Sequence, residues 1–201
     1  MRPSTLVNWC GPFQLTRSGT ASLLATAKAL QHGIYVWTIR VRGVHWTYYL
    51  GETGKSFLER HLEHIGLYYE GQNRIYEPRA LARGNKRIVW DWAMGPSNRA
   101  RRASFRKRYA RWAPSIQRFL AILNVFLIPY GGDKRSRERL EAGLWRLAEF
   151  NGGGRYQEEG IRFRSCREGE RHLLVRFARP LPVEGLRRLR TLELPIMADA
   201  S

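Results

Sequence analysis

Five side chains in this 201-residue chain have functional groups that can hydrolyse a phosphodiester bond: Tyr35, Tyr49, Arg60, His64 and Glu141. Such hydrolysis needs an activated water, stabilisation of the negative charge that builds up around phosphorus, and assistance to the departing oxygen. A guanidinium suits phosphate oxygens, and a carboxylate suits a hard divalent cation such as Mg²⁺ or Mn²⁺. We therefore expect Arg60 to contact phosphate and Glu141 to bind the cation, which would assist the leaving oxygen as a Lewis acid.

Taken singly, each of these residues has an ordinary structural explanation. Tyr35 and Tyr49 could be half-buried strand tyrosines, and Arg60 could be a solvated helix charge. Glu141 could pair with Arg137 one helical turn earlier. No single residue of the set is therefore evidence for catalysis.

A β-hairpin and a helix are predicted to position the first four residues. Residues 34–51 are dense in β-branched and aromatic side chains and are interrupted at Arg42-Gly43, which is typical of two antiparallel strands joined by a tight turn. Residues 56–65 have a helical period, which places Arg60 and His64 together on the margin of a helix. The apolar arc of that helix is predicted to contain Phe57, Leu58, Leu62 and Ile65.

Further elements are predicted on both sides of this region. Residues 1–19 are typical of an irregular arm, and residues 21–31 of a short capped helix. Residues 119–130 are almost continuously apolar and predict a strand buried on both faces, whose beginning could still be helical. Asp133 is predicted to cap a helix that continues through Phe150.

These elements predict an α/β fold of the α+β type, with a small, central, mainly antiparallel sheet flanked by helices. The C-terminal part is predicted to contain a second hairpin over residues 161–177 and a short basic helix within 182–194. The expected organisation is an N-terminal arm and helix (1–32), a catalytic core (33–154) with a basic insertion at about 78–115, and a C-terminal hairpin with a basic tail (155–201).

The catalytic set resembles that of the GIY-YIG nuclease family. Gly33-Ile34-Tyr35 and Tyr49-Leu50-Gly51 correspond to the two triplets of the family, although the second reads YLG where YIG or YVG is usual. The helix with Arg60 and His64 follows them. Residues 140–151 look like the closing helix of the family, in which a Glu is followed by an apolar stripe and then an Asn.

This resemblance implies a role for each residue. Tyr35 would take the proton from water with His64 as its helper, Glu141 would hold the metal, and Asn151 would contact DNA. Because a free tyrosine titrates near ~10, we expect positive charge nearby to lower the pKa of Tyr35. Family members often have a Lys shortly after the second triplet, where this chain has Glu52.

The charge of the chain indicates a polyanionic partner. The formal net charge is +18 and the sequence pI is about 10.9. Residues 92–132 contain no acidic residue, and their cations alternate with Phe105, Tyr109 and Trp112 on a helix expected to end near Pro114. We expect this segment to contact double-stranded DNA rather than to be only a solvated helix face. The cations concerned are Arg99, Arg101, Arg102, Arg106, Lys107, Arg108 and Arg111.

Several other classes of protein are disfavoured. Cys10 and Cys166 lie far apart and have no Cys or His neighbours at the spacing of a zinc site. The stretch ETGKS, residues 52–56, lacks the glycine that a P-loop has five residues before Gly54. No window approaches the ~18 apolar residues of a membrane span, and the start has no secretory signal, so we expect a cytoplasmic protein that does not bind membranes.

These observations predict a Mg²⁺- or Mn²⁺-dependent endonuclease that hydrolyses DNA. Among the roles known for the family, a sequence-specific type II restriction enzyme is favoured, and the resemblance implies a homodimer. Two alternatives stay open: a structure-specific repair or recombination nuclease with the same centre, and a non-catalytic nucleic-acid-binding protein of the same fold.

Overall fold

The computed structural model describes residues 4–16, 22–91, 96–157 and 166–194, and it has the predicted α+β class. The strands are β1 Thr5–Val7, β2 Cys10–Gln14, β3 Gly33–Val41, β4 Val44–Thr53, β5 Ile75–Tyr76, β6 Ile88–Trp90, β7 Leu123–Pro129, β8 Leu173–Phe177 and β9 Thr191–Leu194. The α-helices are α1 Phe57–Tyr69, α2 Pro78–Ala82, α3 Arg99–Lys107, α4 Tyr109–Leu120 and α5 Lys134–Phe150.

A four-stranded antiparallel sheet forms the centre of the molecule, with the strand order β2-β7-β3-β4. The predicted sheet of hairpin plus apolar strand is therefore confirmed, with β3 in an interior position. The start of the predicted apolar strand is helical, because α4 extends to Leu120. The prediction of an irregular N-terminal arm is wrong for its described part, since β1 and β2 lie there and β2 pairs with the free edge of β7.

The β3–β4 hairpin turns at Arg42 (φ 50°) and Gly43 (φ 83°), the left-handed pair whose twist matches two antiparallel strands. The pairing shifts after Trp37, which leaves Tyr48 as an extra residue in β4. Such a bulge breaks the alternation of side chains between the two faces of a sheet. Tyr48 and Tyr49 are consecutive, yet both pack into the same core.

The central sheet separates two hydrophobic cores, because alternate residues of a strand point to opposite faces. On one face, Tyr35 and Trp37 pack with residues of α1, α4 and the basic insertion. On the other face, Ile34 and Val36 pack with α5 and with residues of a second sheet, β1-β8-β9. Consequently α1 and α5 cover opposite faces of the same sheet.

The prediction of one helix over residues 21–31 is wrong. The described part of this stretch forms two 3-10 turns, Leu23–Ala25 and Ala27–Leu30. The side chains of Ser22 and Thr26 accept hydrogen bonds from the backbone N–H two residues later. These local bonds compete with a continuous helix and break it after each turn. The predicted cap at residues 18–20 lies outside the described residues.

The helix predicted to end near Pro114 continues through it, and α4 ends at Leu120. Ile116 and Phe119 are fully buried, and burial of such side chains stabilises a helix by amounts comparable to the ~3 kcal/mol that an interior proline costs. The helical run of the basic segment is broken earlier, at Arg108 between α3 and α4.

The short basic helix predicted within residues 182–194 is also wrong. The described chain there forms a turn and then β9, in which Leu192 and Leu194 face the core with the period of a strand. The first arm of the predicted second hairpin, residues 161–165, lies outside the described residues. Its second arm contains β8, which pairs antiparallel with β9 and parallel with β1.

Within the described parts of the chain, none of the helices combines the length and the apolar character that a membrane span requires.

Candidate active site

Tyr35 lies on β3 and is the centre of the candidate site. Its ring is fully buried, and its hydroxyl lies 2.8 Å from Nε2 of His64. Nε of Arg60 donates a second hydrogen bond to the same oxygen, at 3.3 Å. A phenol held between an imidazole and a guanidinium can exchange a proton with one while the other stabilises negative charge on its oxygen.

Helix α1 places the imidazole and the guanidinium side by side. It begins with a capping box in which the Ser56 hydroxyl accepts from the Glu59 backbone and the Glu59 carboxylate accepts from the Ser56 backbone. Arg60 and His64 are four residues apart, so both face Tyr35 from successive turns. The predicted helix and its pair are thus confirmed, and α1 extends to Tyr69.

The predicted apolar arc of α1 is wrong in part. The side chains buried along the helix are Phe57, His61, His64 and Tyr68, whereas Leu62 is 54% exposed. The prediction used hydrophobicity alone and therefore placed Leu62 on the inward face, because histidine counts as polar in a hydrophobic pattern. The buried residues follow the helical spacing i, i+4, i+7 and i+11, and this spacing of aromatic rings is the signal that could have identified the inward face.

Tyr49 completes the site on the neighbouring strand. Its ring centroid lies 5.9 Å from that of Tyr35 and 5.3 Å from that of His64, and the side chain is half-buried. Because of the bulge at Tyr48, Tyr49 pairs with Trp37 rather than with Tyr35. The two tyrosine hydroxyls of the triplets therefore reach the same region from diagonal positions.

The glycine of each triplet is required by close packing. A Cβ at Gly51 would lie 2.4 Å from the Tyr35 hydroxyl, so the ring of Tyr35 fits only because that position has no side chain. Gly33 has a φ of +144°, and a Cβ there would lie 2.4 Å from the backbone oxygen of Ile128. Gly51 thus lets the Tyr35 ring lie close to β4, and Gly33 lets β7 lie close to β3.

The expected lowering of the Tyr35 pKa is wrong. Burial raises the pKa of Tyr35 well above its ordinary value, the nearby Tyr49 raises it further, and the Arg60 guanidinium opposes this only in part. Desolvation of a phenolate outweighs one cation that is itself partly solvated. Tyr35 is therefore protonated at neutral pH, and it can act on a proton only through its hydrogen-bond partners.

His61 is a buried residue of the site whose role the sequence did not reveal. Its Nδ1 donates to the Phe57 carbonyl at 2.6 Å, and its ring packs edge-on against Tyr35 with centroids 4.9 Å apart. Burial lowers the pKa of His61 to about 4. This imidazole is thus neutral at physiological pH and positions the Tyr35 ring by packing.

Acidic side chains around the site make ion pairs with known partners. Glu63 pairs with Lys55 and, at 3.2 Å, with Arg60. Glu52, which follows the second triplet, accepts from Nε of Arg137 at 3.0 Å. The pair of Glu52 and Arg137 joins the end of β4 to the first turns of α5.

Glu141 lies on α5, which packs on the face of the sheet opposite to Tyr35. Its neighbours Leu140 and Leu144 are buried in the second core, and Glu141 itself is half-buried. It follows Arg137 by one helical turn, so it lies on the side of α5 that faces the edge strand β4. The structure thus brings Tyr35, Arg60 and His64 together through direct contacts and places Glu141 on a separate element.

The side chains that could bind a metal ion determine whether the site meets what Mg²⁺ requires. The described residues contain no group of three or more His, Cys, Asp or Glu side chains that could hold a metal ion. Mg²⁺ is commonly bound by one or two carboxylates together with water and substrate phosphate. The described residues therefore do not form a preassembled cage, and a metal bound by a single carboxylate would need water and substrate phosphate as its other ligands.

The basic segment contains exposed cations on a packed aromatic base. Arg99, Arg101, Arg106, Lys107, Arg108 and Arg111 are exposed, and Arg102 is half-buried. Phe105, one of the three aromatic residues that alternate with these cations, is fully buried. Phe105 and Trp112 pack with Trp90 at centroid distances of 4.9 and 5.4 Å from that ring. These rings anchor the insertion, Trp90 and Trp112 are half-buried, and Tyr109 is 43% exposed.

Asn151 is at the C-terminal end of α5, far along the chain from the triplets. Its side-chain amide donates to the Gly185 carbonyl at 2.9 Å. This bond ties the end of the helix to the segment before β9 and gives Asn151 a structural role. Contact of Asn151 with DNA stays a prediction.

Comparison of the chain with protein-family models, with curated proteins and with solved structures returned no match.

Proposed function

We propose that this protein is a metal-dependent endonuclease that hydrolyses phosphodiester bonds of DNA. The observation that carries the proposal is the Tyr35 hydroxyl, held 2.8 Å from His64 Nε2 and 3.3 Å from Arg60 Nε. The order of the triplets, the α1 pair and the α5 glutamate, together with the net charge of +18, supports the same activity.

The chemistry of the proposed site follows from the raised pKa of Tyr35. A neutral phenol can donate its proton to His64 Nε2 and at the same time accept one through Tyr49, a half-buried residue whose hydroxyl is hydrogen-bonded to Tyr35 and would contact the water. The water would thereby become the nucleophile, and the proton would end on His64 without a free phenolate being formed. The Arg60 side chain is 32% exposed, so its guanidinium can bind a phosphate oxygen while Nε holds Tyr35.

In this proposal Glu141 holds the divalent cation, which when bound stabilises the leaving oxygen as a Lewis acid. Tyr49 lies beside His64 and would contact the bound water. The partner is double-stranded DNA, and the location proposed from the sequence is the cytoplasm. Because one such site cuts one strand, we further propose a homodimer for double-strand cleavage.

Incubation of purified protein with supercoiled plasmid and Mg²⁺ tests the proposal. The wild type is expected to convert the plasmid to nicked and linear forms, and Glu141→Gln is expected to lose this activity. Glu149→Gln is the matched control, since Glu149 is an exposed carboxylate two turns later on the same helix. If Glu141→Gln cuts as well as the wild type, Glu141 is not the metal ligand. If the wild type leaves the plasmid uncut with every divalent cation tried, the proposed function is contradicted.

The same digestion separates the two nuclease classes. Discrete fragments from an intact plasmid would support the type II restriction enzyme that the sequence predicts. Cleavage confined to flaps, junctions or nicked substrates would support a structure-specific nuclease.

A further inference from the structure

A basic cleft at the turn end of the hairpin lies outside the candidate active site. Its volume is about 250 Å³, and its lining includes Arg42, Trp46, Arg83, Arg155 and Tyr156. We call it the arginine cleft.

Three separate elements bring the arginines of the cleft together. Arg42 is in the hairpin turn, Arg83 follows the end of α2, and Arg155 is in the 3-10 turn after α5. All three are exposed, and the described residues that line the cleft include no carboxylate. Three like charges around one small cavity create a positive potential that an anion would neutralise, and guanidinium groups match phosphate oxygens in shape.

An aromatic wall accompanies these charges. The half-buried Trp46 packs edge-on against Tyr156, with ring centroids 5.6 Å apart, and Tyr156 is 2% exposed. Arg155 in turn lies over the Tyr156 ring, 5.6 Å from its centroid. The indole is thus held by a fixed neighbour at the border of the cavity. Aromatic and guanidinium groups together are the combination that binds unpaired nucleotides, by base stacking and phosphate contact.

The size and shape of the cleft limit what can occupy it. Its volume is below the ~300 to 1,000 Å³ usual for sites of free small molecules. A regular duplex keeps its bases stacked inside, so it cannot bring a base to Trp46. A single unpaired nucleotide within a longer strand satisfies both limits.

The cleft lies on the same face of the hairpin as the active site. Tyr35, Trp37, Ile39 and Val41 all belong to the core on the α1 side, and Val41 lines the cleft. Six residues separate Tyr35 from Val41, which corresponds to about 20 Å along a strand. One DNA strand can therefore reach both places.

We propose that the arginine cleft binds an unpaired nucleotide of the DNA substrate, with the phosphate on Arg42, Arg83 and Arg155 and the base against Trp46. The identity of the nucleic acid rests on the proposed function. The consequence is tighter binding of DNA that has a single-stranded extension or an extrahelical nucleotide than of a fully paired duplex.

The test measures binding of the full-length protein without divalent metal, by fluorescence anisotropy. The labelled probes are a blunt duplex and a duplex of equal nucleotide number with a single-stranded extension. The cleft variant is Arg42→Asn/Arg83→Gln, in which Asn suits the left-handed turn position. The control, Arg176→Gln/Arg188→Gln, removes the same charge from exposed positions on the C-terminal segment.

Wild type and control are expected to bind the extended probe at least about fivefold more tightly than the blunt one. The cleft variant is expected to lose this preference, and its slope of log Kd against log salt on the extended probe falls by roughly 1 to 2. Trp46→Leu should also lose the preference, whereas Trp46→Phe should keep most of it. Thermal unfolding midpoints near that of the wild type show that a variant is folded.

Equal preference in the cleft variant and the control would overturn the inference, as would a wild type that binds both probes alike. The proposed function is judged separately by cleavage. If the protein binds DNA with the expected preference but does not cut it, the nuclease proposal is contradicted and the proposal for the arginine cleft stands. If it cuts DNA without the preference, the proposal for the arginine cleft is contradicted and the nuclease proposal stands.

Discussion

At the scale of single residues, the environment of Tyr35 combines full burial with two basic partners. Burial raises the pKa of its hydroxyl, and His64 Nε2, 2.8 Å away, can accept the proton in the tautomer that has its hydrogen on Nδ1. Transfer of a proton through a neutral tyrosine needs the hydroxyl oxygen but does not need a permanent charge on it. The chemistry is therefore sensitive to the loss of one atom.

Tyr35→Phe removes that atom and leaves the ring in place. Cutting should fall by about 10²- to 10⁴-fold, the usual contribution of proton transfer, while DNA binding changes little. Tyr48→Phe is the matched control, because Tyr48 is a buried tyrosine of the same hairpin whose hydroxyl is 3.4 Å from that of Tyr68. Single-turnover cleavage and binding measured on both variants check this, and normal cutting by Tyr35→Phe would exclude it as the relay.

The buried His61 makes stability dependent on pH. Its folded pKa of about 4 is below the ordinary 6.5, so protons bind the unfolded state first. Stability should be constant above pH ~6.5 and fall by up to about 3 kcal/mol as the pH approaches ~4. Denaturant unfolding from pH 4.5 to 7.5 measures this loss. In His61→Gln the loss should be smaller, and an unchanged pH dependence would assign it to other groups.

At the scale of elements, the hairpin, α1, β7 and α5 could be predicted because period and turn residues agree in each. The same reasoning failed where local hydrogen bonds or burial decide. Ser22 and Thr26 divide a predicted helix by bonding to their own backbone, and burial of its last turn lets α4 continue past Pro114. The raised pKa of Tyr35 could not be predicted from the sequence, because the pKa depends on elements that cover the residue only after folding.

The ion pair between Glu52 and Arg137 connects β4 to α5, with side chains only 17% and 11% exposed. A double-mutant cycle of Glu52→Gln and Arg137→Gln should give a coupling free energy of about 1 to 3 kcal/mol. The exposed pair of Glu184 and Arg187, at 2.7 Å, is the control and should give less than about 1 kcal/mol. Unfolding in urea provides both values, and equal couplings would show that the buried pair does not hold the two elements together.

At the scale of the whole molecule, two of its groups of exposed cations lie on different elements. The α3 segment exposes cations over an aromatic base, and the arginine cleft forms a second group. The first is a set of exposed cations on a helix that can contact the backbone of a duplex, and the second lines a cavity. Their effects on DNA binding should therefore differ with the type of probe.

Replacing Arg106 and Arg108 by Gln should weaken binding of blunt and extended DNA by the same factor. Each lost phosphate contact lowers the salt slope of binding by about 1, so the double variant should lose up to about 2 on either probe. Arg176→Gln/Arg188→Gln again removes equal charge elsewhere. Anisotropy titrations at several salt concentrations measure the slopes, and a variant that matches this control would exclude α3 as a duplex contact.

The hairpin joins the reacting hydroxyl and the arginine cleft through β3, whose residues from Tyr35 to Val41 all pair with β4, with Tyr48 as an extra residue in β4. A paired strand of six residues hardly changes its length, so the two places are held at a fixed separation of about 20 Å. The hairpin would then act as a ruler, with the cut falling a constant number of nucleotides from the anchored one. The offset would be set by the length of β3 and β4 and would not depend on the bases between.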